Sequence, residues 1–300
     1  MIRLKILQDR EMIRRTFGDN RPFRHVRIDN FFEGPIAEEL LHDFPQFDHE
    51  RAKNEFGMPS RKWTVADLAA ISPFYKKVYE YIQSPLFLKH VSGLTGIANL
   101  IADPKMFGGG THENLEGQDL YPHVDFNYLE QDNLHRRLNL LVYLNKEWEE
   151  EWGGAIELHS NPRRRQEDTF TSILPLFNRC VIFETTERSW HAFRTIRLPE
   201  GKKHLSCKSL SIYLYTKNRP LEEIAPSHGT FYWIWPLPEH LKSGHTLTQN
   251  DASEIENLID ARDNFLKHYQ EKELQWSGEV ERLKKEIEHY KKISCYNQSL

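Results

Sequence analysis

Short stretches of alternating apolar and polar residues dominate the middle of the chain. They recur from about residue 96 onward, and turn-forming residues such as the glycine run at 108–110 separate them. The stretches cover residues 97–102, 120–126, 137–145, 154–159, 171–177, 179–185 and 208–216. A period of two is typical of β-strands, and many short strands at fairly even spacing indicate an antiparallel sandwich or barrel. The pattern predicts a mainly β core over about residues 95–217.

The regions on either side of this core have helical spacing. After a strand-like stretch at 24–32, apolar residues recur every three or four positions at 36–44 and 73–88. Beyond residue 250, Val280, Leu283, Ile287 and Tyr290 form a short heptad-like stripe, and a helix break is expected at Gly278. We therefore predict a main domain of residues 1–250, with a helical flank at 1–94, and a helical tail of residues 251–300 that could form a coiled coil.

The composition argues against several classes of protein. The 300 residues are 39% hydrophobic and carry a formal net charge of -4, so they can bury a core and have no global attraction to nucleic acid. No apolar run reaches the length of about 18 residues that suggests a membrane span. Cys180, Cys207 and Cys295 are too few and too scattered for a disulfide framework or a CxxC zinc site. We therefore expect a reducing, cytoplasmic location.

One strand-like segment carries a pair of metal-binding residue types. His123 and Asp125 are two positions apart, so a strand would direct both side chains to the same face. His191, just after the stretch at 179–185, could complete the set. Two histidines and one carboxylate on one face form the facial triad of non-haem Fe(II) oxygenases, which leaves coordination positions open. An HxD pair alone is a weak signal, so its context decides how it is interpreted.

The context resembles a known family. The segments GGGTHENLEGQDLYPHVDFN, RRLNLLVYLNKEWEEEWGGAIELH, CVIFETTERSWHAF and KSLSIYLYT are similar, in order and spacing, to the prolyl-4-hydroxylase-like group of Fe(II)/2-oxoglutarate-dependent oxygenases. The earlier segment RHVRIDNFFEGPIAEELLHDFP resembles the start of that group's domain. The resemblance implies a double-stranded β-helix (jelly-roll, cupin-like) core with flanking helices. It also implies Fe(II), 2-oxoglutarate and O2 as cofactors, with ascorbate as an aid in vitro.

Individual residues carry over from the family pattern. The resemblance makes His123, Asp125 and His191 the metal ligands and gives Tyr143 a hydrogen bond to the co-substrate carboxylate. A glycine pair at 153–154 matches a tight turn in which positive φ is allowed. Strand alternation puts Arg137 on the same face as Tyr143, so that it would line the pocket too.

The last core strand departs from the family pattern. The family has Arg-x-Ser there, and the arginine pairs with the far carboxylate of 2-oxoglutarate; this chain has Cys207-Lys208-Ser209. Ser209 fits the serine, while Cys207 stands where the arginine is expected. Three explanations are open: a bulge turns Lys208 inward, Arg137 supplies the cation from a neighbouring strand, or 2-oxoglutarate binds poorly or not at all. The first two are favoured.

These observations lead to one functional hypothesis and two alternatives. We expect a 2-oxoglutarate-dependent non-haem iron dioxygenase that hydroxylates a C–H bond of a peptide or a small metabolite. One alternative is a catalytically silent cupin-like binding or assembly protein, suggested by Cys207 and the tail. The other keeps the metal site but catalyses desaturation or cyclisation. No nucleic-acid partner is expected, and the tail helix could pair two copies as a homodimer.

Overall fold

The computed structural model describes residues 1–53, 59–238 and 240–297, with side chains up to residue 291. The side chain of Cys295 therefore lies outside the described part of the chain. The chain forms two compact units, residues 1–233 and 234–300. The predicted division at residue 250 stays a prediction.

The first unit is built on antiparallel β-strands. In chain order they are β1 (His25–Ile28), β2 (Lys62–Val65), β3 (Ile101–Ala102), β4 (Gly110–Asn114), β5 (Leu120–Val124), β6 (Tyr128–Leu129), β7 (Leu134–Tyr143), β8 (Ile156–His159), β9 (Phe170–Ile173), β10 (Arg179–Glu184), β11 (Trp190–Phe193), β12 (Cys207–Thr216) and β13 (Phe231–Tyr232). The larger sheet has the order β1-β10-β7-β12-β4-β2, with β3 beside β12 and β6 beside β7. The smaller sheet has the order β13-β5-β11-β8-β9. The predicted mainly β, double-stranded β-helix core is confirmed.

Helices flank the sheets at the N-terminal side of the chain. They are α1 (Leu4–Gln8), α2 (Arg10–Asp19), α3 (Gly34–His42), α4 (Pro73–Ile82) and α5 (Pro85–Thr95). The single helix predicted at 73–88 is wrong, because Ser84 begins a new helix there. Its hydroxyl accepts a hydrogen bond from the Phe87 amide, and Pro85 occupies the first helical position.

The hydrophobic core lies between these helices and one face of the larger sheet. On β7, Leu138, Leu140 and Val142 are fully buried in a cluster that also contains Phe87 and Val91 of α5. Burying such a side chain contributes about 1.5–3 kcal/mol. The alternate residues of β7 point to the opposite face of the sheet, where the candidate site lies.

The second unit contains α6 (Gln249–Asn297), a single helix of 49 residues. The break predicted at Gly278 is wrong, since the helix continues through it. The helix begins with a reciprocal cap: the Thr248 amide donates to Asp251 Oδ2 at 2.8 Å and the Asp251 amide donates to Thr248 Oγ1 at 3.2 Å. Among the described residues, no helix combines the length and the apolar character needed to cross a membrane.

Candidate active site

Two neighbouring strands of the smaller sheet bring the three predicted metal-binding residues together. His123 of β5 is paired directly with His191 of β11, and their ring centres are 4.0 Å apart. Asp125 follows β5, with Oδ1 3.8 Å from His123 Nε2 and Oδ2 3.6 Å from His191 Nε2. One potential ligand atom from each residue lies within 4.8 Å of the others, which is close enough to share one metal ion.

Backbone contacts orient both imidazoles. His123 Nδ1 is 2.9 Å from the Tyr121 carbonyl oxygen, and His191 Nδ1 is 2.9 Å from that of Ser189. When each Nδ1 carries the proton and donates it to its carbonyl oxygen, Nε2 is unprotonated. Its lone pair is then available to a metal ion on the side of Asp125. A hydrogen bond from the second ring nitrogen is the usual support of a metal-binding histidine.

The charges of the three residues suit a divalent cation. Burial, together with the neighbouring His123, lowers the pKa of His191 to about 3, so its imidazole is neutral at physiological pH. Burial acts to raise the pKa of Asp125, but its neighbours, with the Arg136 guanidinium foremost, outweigh this effect and hold that pKa well below its usual range. The donor set is therefore the neutral His191 imidazole, the His123 imidazole and one carboxylate, which is the facial set of non-haem iron sites.

Two residues of β7 hold the Asp125 carboxylate in place. Asn139 Nδ2 donates to Asp125 Oδ2 at 2.7 Å, and Arg136 Nη2 lies 3.1 Å from the same oxygen. Arg136 also donates from Nε and Nη2 to Asn139 Oδ1, at 3.0 and 2.9 Å. Its guanidinium lies over the rings of Phe126 and Tyr213, 4.4 and 3.8 Å from their centroids. The carboxylate is thus fixed before any metal arrives.

Arg136 was missed in the sequence because a β-bulge changes the alternation of β7. Leu138 pairs with Leu214, but the next paired residues are Arg136 and Tyr215, which leaves Arg137 as an extra residue. The face that Tyr143 and Asn139 share therefore continues with Arg136. The extra residue leaves no trace in the hydrophobic pattern, since both candidates are arginines.

The prediction that Arg137 lines the pocket is wrong. Its Nη2 donates to Glu184 Oε1 at 3.0 Å and lies 3.4 Å from Glu223 Oε2, and it is not among the residues that line the cavity. The bulge turns it away from the site, so its charge is neutralised elsewhere.

The prediction that a bulge turns Lys208 inward is also wrong. Residues 207–211 of β12 pair one to one with β4, so the alternation stays regular and Cys207 and Ser209 face the cavity. Lys208 points to the other side of the sheet, where Nζ is 2.6 Å from Glu113 Oε1 and lies over the Phe44 ring.

A cavity of about 420 Å³ extends from the three predicted metal-binding residues along the larger sheet. Tyr143, Cys207 and Ser209 line it, together with Asn114 and Ser211. Burial raises the pKa of Tyr143 well above its usual value and that of Cys207 to about 12, so one is a neutral phenol and the other a neutral thiol.

Two polar atoms of the cavity wall have no hydrogen-bond partner among the described residues. Asn114 Oδ1 and Ser211 Oγ are buried and make no hydrogen bond. Buried polar atoms are normally paired, so this wall fits a polar ligand better than an apolar one. The three convergent ligand atoms and the adjoining polar wall together fit Fe(II) and a chelating keto acid.

The fold and the site define a class of protein. A double-stranded β-helix with two imidazoles and a carboxylate beside a polar cavity is the arrangement of non-haem iron oxygenases. The family model described as the 2OG-Fe(II) oxygenase superfamily matches residues 110–209, a segment that includes the triad and most of the core. This part of the chain therefore matches a 2OG-Fe(II) oxygenase domain. The predicted class, a 2-oxoglutarate-dependent dioxygenase that uses Fe(II), 2-oxoglutarate and O2, is confirmed.

Solved structures share the fold at low sequence identity. A prolyl hydroxylase from Trichoplax adhaerens, in complex with a hypoxia-inducible-factor peptide fragment, is 15% identical; the match covers 71% of this chain and 92% of that one, with a TM-score of 0.50. A prolyl 4-hydroxylase from Phytophthora capsici is 17% identical. The match covers 88% of this chain and 76% of that one, with a TM-score of 0.49. HygX from Streptomyces hygroscopicus, with nickel and 2-oxoglutarate bound, is 13% identical. The match covers 75% of this chain and 96% of that one, with a TM-score of 0.43. No curated protein matched the sequence.

Proposed function

We propose that His123, Asp125 and His191 hold the Fe(II) of this dioxygenase and that the enzyme hydroxylates a C–H bond of a peptide or a small metabolite. The convergence of the three ligand atoms within 4.8 Å carries the proposal. The polar wall next to them supports binding of the keto acid on the same metal.

Bound Fe(II) would supply O2 activation and couple the decarboxylation of 2-oxoglutarate to substrate oxidation. The protein's own residues prepare the site. Asn139 and Arg136 keep the Asp125 carboxylate ionised and in one orientation. Tyr143 and Ser209 are neutral hydroxyl groups on the cavity wall and would donate hydrogen bonds to the co-substrate, while Leu141 keeps part of that wall apolar.

The substrate is expected to enter beside the aromatic side chains at the cavity. Phe107 is 60% exposed, and its ring centre is 5.5 Å from that of Phe126. Tyr232 of β13 stacks on His123 with a centroid distance of 5.3 Å. Exposed aromatic surface next to a reactive centre suits a peptide or an organic metabolite. The Trichoplax enzyme, which shares the fold, is described in complex with a peptide fragment. The cytoplasmic location stays a prediction that rests on the sparse cysteines.

The test is product formation by the iron-loaded enzyme. Incubation with Fe(II), 2-oxoglutarate, O2 and ascorbate should release succinate and CO2. His123→Ala, Asp125→Ala and His191→Ala should each abolish this release and weaken Mn(II) binding in calorimetry. His204→Ala, at an exposed histidine, is the matched control and should retain both. Full turnover by His123→Ala would refute the assignment of the ligands.

Two outcomes would favour the alternatives. A protein that binds Mn(II) but no 2-oxoglutarate at millimolar concentration would be the silent binding or assembly protein. With a substrate in hand, product mass separates the reactions: hydroxylation adds one oxygen atom, whereas desaturation or cyclisation removes two hydrogens.

We also propose that α6 pairs with α6 of a second copy as a parallel coiled coil. The apolar stripe predicted at 280–290 continues towards the N-terminus as a seven-residue repeat. Its core positions are Ala252, Ile255, Ile259, Arg262, Leu266, Tyr269, Glu273, Trp276, Val280, Leu283, Ile287 and Tyr290. The large apolar members beyond residue 258 are all exposed, and their exposed fractions lie between 42% for Tyr269 and 68% for Tyr290. Such exposure is unfavourable for a helix in water.

The charges beside this stripe favour a parallel arrangement. In a parallel pair, Glu279 would face Lys284 of the second copy, and Glu286 would face Lys291. An antiparallel pair would bring glutamates opposite glutamates and lysines opposite lysines in this part of the helix. These two charge pairs therefore favour the parallel direction over the antiparallel one.

Light scattering on the full chain would measure the oligomeric state. The native protein should have the mass of a dimer, and Leu283→Glu together with Ile287→Glu should give a monomer with unchanged Mn(II) affinity. In a Cys295→Ser background, Leu283→Cys should form an intermolecular disulfide only if the two copies are parallel. A monomeric native protein, or no cross-link at Leu283→Cys, would contradict the proposal.

A further inference from the structure

The cavity lacks a cation at the position where the family places one. Cys207 faces the cavity there, and its thiol is neutral because burial raises its pKa to about 12. 2-Oxoglutarate is a dianion whose far carboxylate would enter this part of the cavity. An unpaired carboxylate in a buried site is costly, so another cation must be available if the co-substrate binds tightly.

The basic side chains that line the cavity, among the residues described, are few. Apart from histidines they are Lys53, Lys62 and Arg136. Arg136 is engaged by Asp125 and Asn139 at the metal end. Lys53 is an exposed residue. Lys62 is half-buried, which combines access to the cavity with partial removal from water.

The strand register places Lys62 in the same row as Cys207. On the larger sheet Cys207 of β12 pairs with Asn114 of β4, and Asn114 pairs with Lys62 of β2. Paired residues of neighbouring strands direct their side chains to the same face. All three residues line the cavity. Lys62 thus begins two strands away from Cys207, about 10 Å at the usual strand spacing. Its four-methylene chain can extend towards Cys207 past Asn114.

We propose that Lys62 binds the far carboxylate of 2-oxoglutarate. It would take the role of the family's arginine, whose position is occupied by Cys207 in this chain. The proposal rests on the proposed function, because it concerns the co-substrate of that reaction. The Asn114 amide, whose Oδ1 has no hydrogen-bond partner in the described part of the chain, lies between the two and can rotate to present its NH2 group to the carboxylate. Ser209 lies two residues after Cys207 on β12 and is paired with Tyr143 of β7. These two hydroxyl groups complete the polar surroundings.

The charge of Lys62 also acts on a group inside the cavity. Burial raises the pKa of Tyr213, and Arg136 and Lys62 are among the charges that oppose the rise. Tyr213 also lines the cavity, so the Lys62 ammonium lies close enough to act on a group inside it.

Calorimetric titration of the Mn(II)-loaded full chain would test the proposal. The two ligands are 2-oxoglutarate and 2-oxopentanoate, which has a methyl group in place of the far carboxylate. Lys62→Met should weaken 2-oxoglutarate binding roughly 10- to 100-fold, the usual effect of one hydrogen-bonded charge. It should leave the affinities for 2-oxopentanoate and Mn(II) unchanged, and Lys53→Met should bind both keto acids like the native protein.

A second pair of variants separates an anchoring role from a structural one. Lys62→Arg should retain most of the 2-oxoglutarate affinity. Lys62→Met combined with Cys207→Arg should recover it, because the cation then returns to the family's position. Native affinity for 2-oxoglutarate in Lys62→Met, or an equal loss for both keto acids, would overturn the anchor while leaving the dioxygenase assignment intact. If the native Mn(II) form bound neither keto acid, the proposed function itself would fail together with the anchor.

Discussion

Arg136 and Asp125 form a buried ion pair in which guanidinium Nη2 lies 3.1 Å from carboxylate Oδ2. The Arg136 side chain is 2% exposed and that of Asp125 is 12% exposed. The pair keeps the carboxylate ionised before metal binds, at the expense of burying an arginine that does not face water. A buried pair becomes strongly unfavourable once one partner is removed, because the remaining charge is left uncompensated.

We therefore expect Arg136→Met to destabilise the metal-free protein by about 3–5 kcal/mol. The loss should be smaller in the Mn(II)-loaded protein, since the metal then supplies positive charge next to Asp125. Chemical denaturation with and without Mn(II) would measure both values. Arg137→Met is the matched control: Glu184 and Glu223 are its partners, so its loss should not depend on Mn(II). Equal losses for Arg136→Met in both forms would contradict this account.

Gly153→Ala should destabilise the fold, because the backbone there leaves no room for a side chain. Gly153 has φ +70°, and a Cβ would lie 2.2 Å from the Thr195 carbonyl oxygen. With ψ at −160°, this backbone conformation is essentially restricted to glycine and costs an L-residue about 1–3 kcal/mol, and the contact adds to it. The thermal midpoint would report the loss. Gly201→Ala, where no atom lies within 4 Å of the added Cβ, should leave the midpoint nearly unchanged.

Cys180 and Cys207 should resist alkylation in the native protein. Both are buried, and burial raises both thiol pKa values, so almost no thiolate is present at neutral pH. Labelling with iodoacetamide, followed by peptide mass mapping, should find both residues unmodified until denaturant is added. Rapid native labelling of Cys207 would show that its side of the cavity is more accessible than the structure indicates.

His25 should make the fold less stable in mild acid. Burial lowers its pKa, which the hydrogen bond to the Phe23 carbonyl only partly opposes. Its folded-state pKa is therefore below the unfolded value of about 6.5, and the unfolded chain binds the proton first. The contribution of His25 to the free energy of unfolding is fully present above that pH. It decreases as the pH falls, by at most about 1.4 kcal/mol per pH unit.

The comparison with His25→Phe isolates this effect. The phenylalanine is similar in size and cannot bind a proton, so the native protein should lose more unfolding free energy than the variant between neutral pH and mild acid. Parallel pH dependences of the two proteins would show that His25 keeps its ordinary pKa in the fold.

The sequence was sufficient wherever a local pattern controls the outcome. The spacing of His123 and Asp125 placed both near one metal position because strands alternate strictly over so short a distance. The family resemblance added His191, and the structure pairs it directly with His123. Ser209 faces the cavity as the family pattern implied.

The sequence failed where a single residue changes the register. One extra residue in β7 exchanges the faces of Arg136 and Arg137, and neither composition nor periodicity records it. Lys208 shows the converse. The missing arginine suggested a bulge in β12 that would turn Lys208 inward, but the pairing of this stretch with β4 is regular. In the helical flank, the Ser84 cap outweighed the continuous apolar spacing.

The sequence alone determined the β-rich core and the pairing of His123 with Asp125, because both depend on residue types at short, fixed separations, while the family resemblance supplied His191 and the missing arginine. Only the tertiary structure decided which cations reach the cavity. Lys62 joins the row of Asn114 and Cys207 through pairing between strands that are distant in sequence. Such neighbours are set by the hydrogen-bond register between strands, and a one-residue shift in that register moves a side chain to the opposite face.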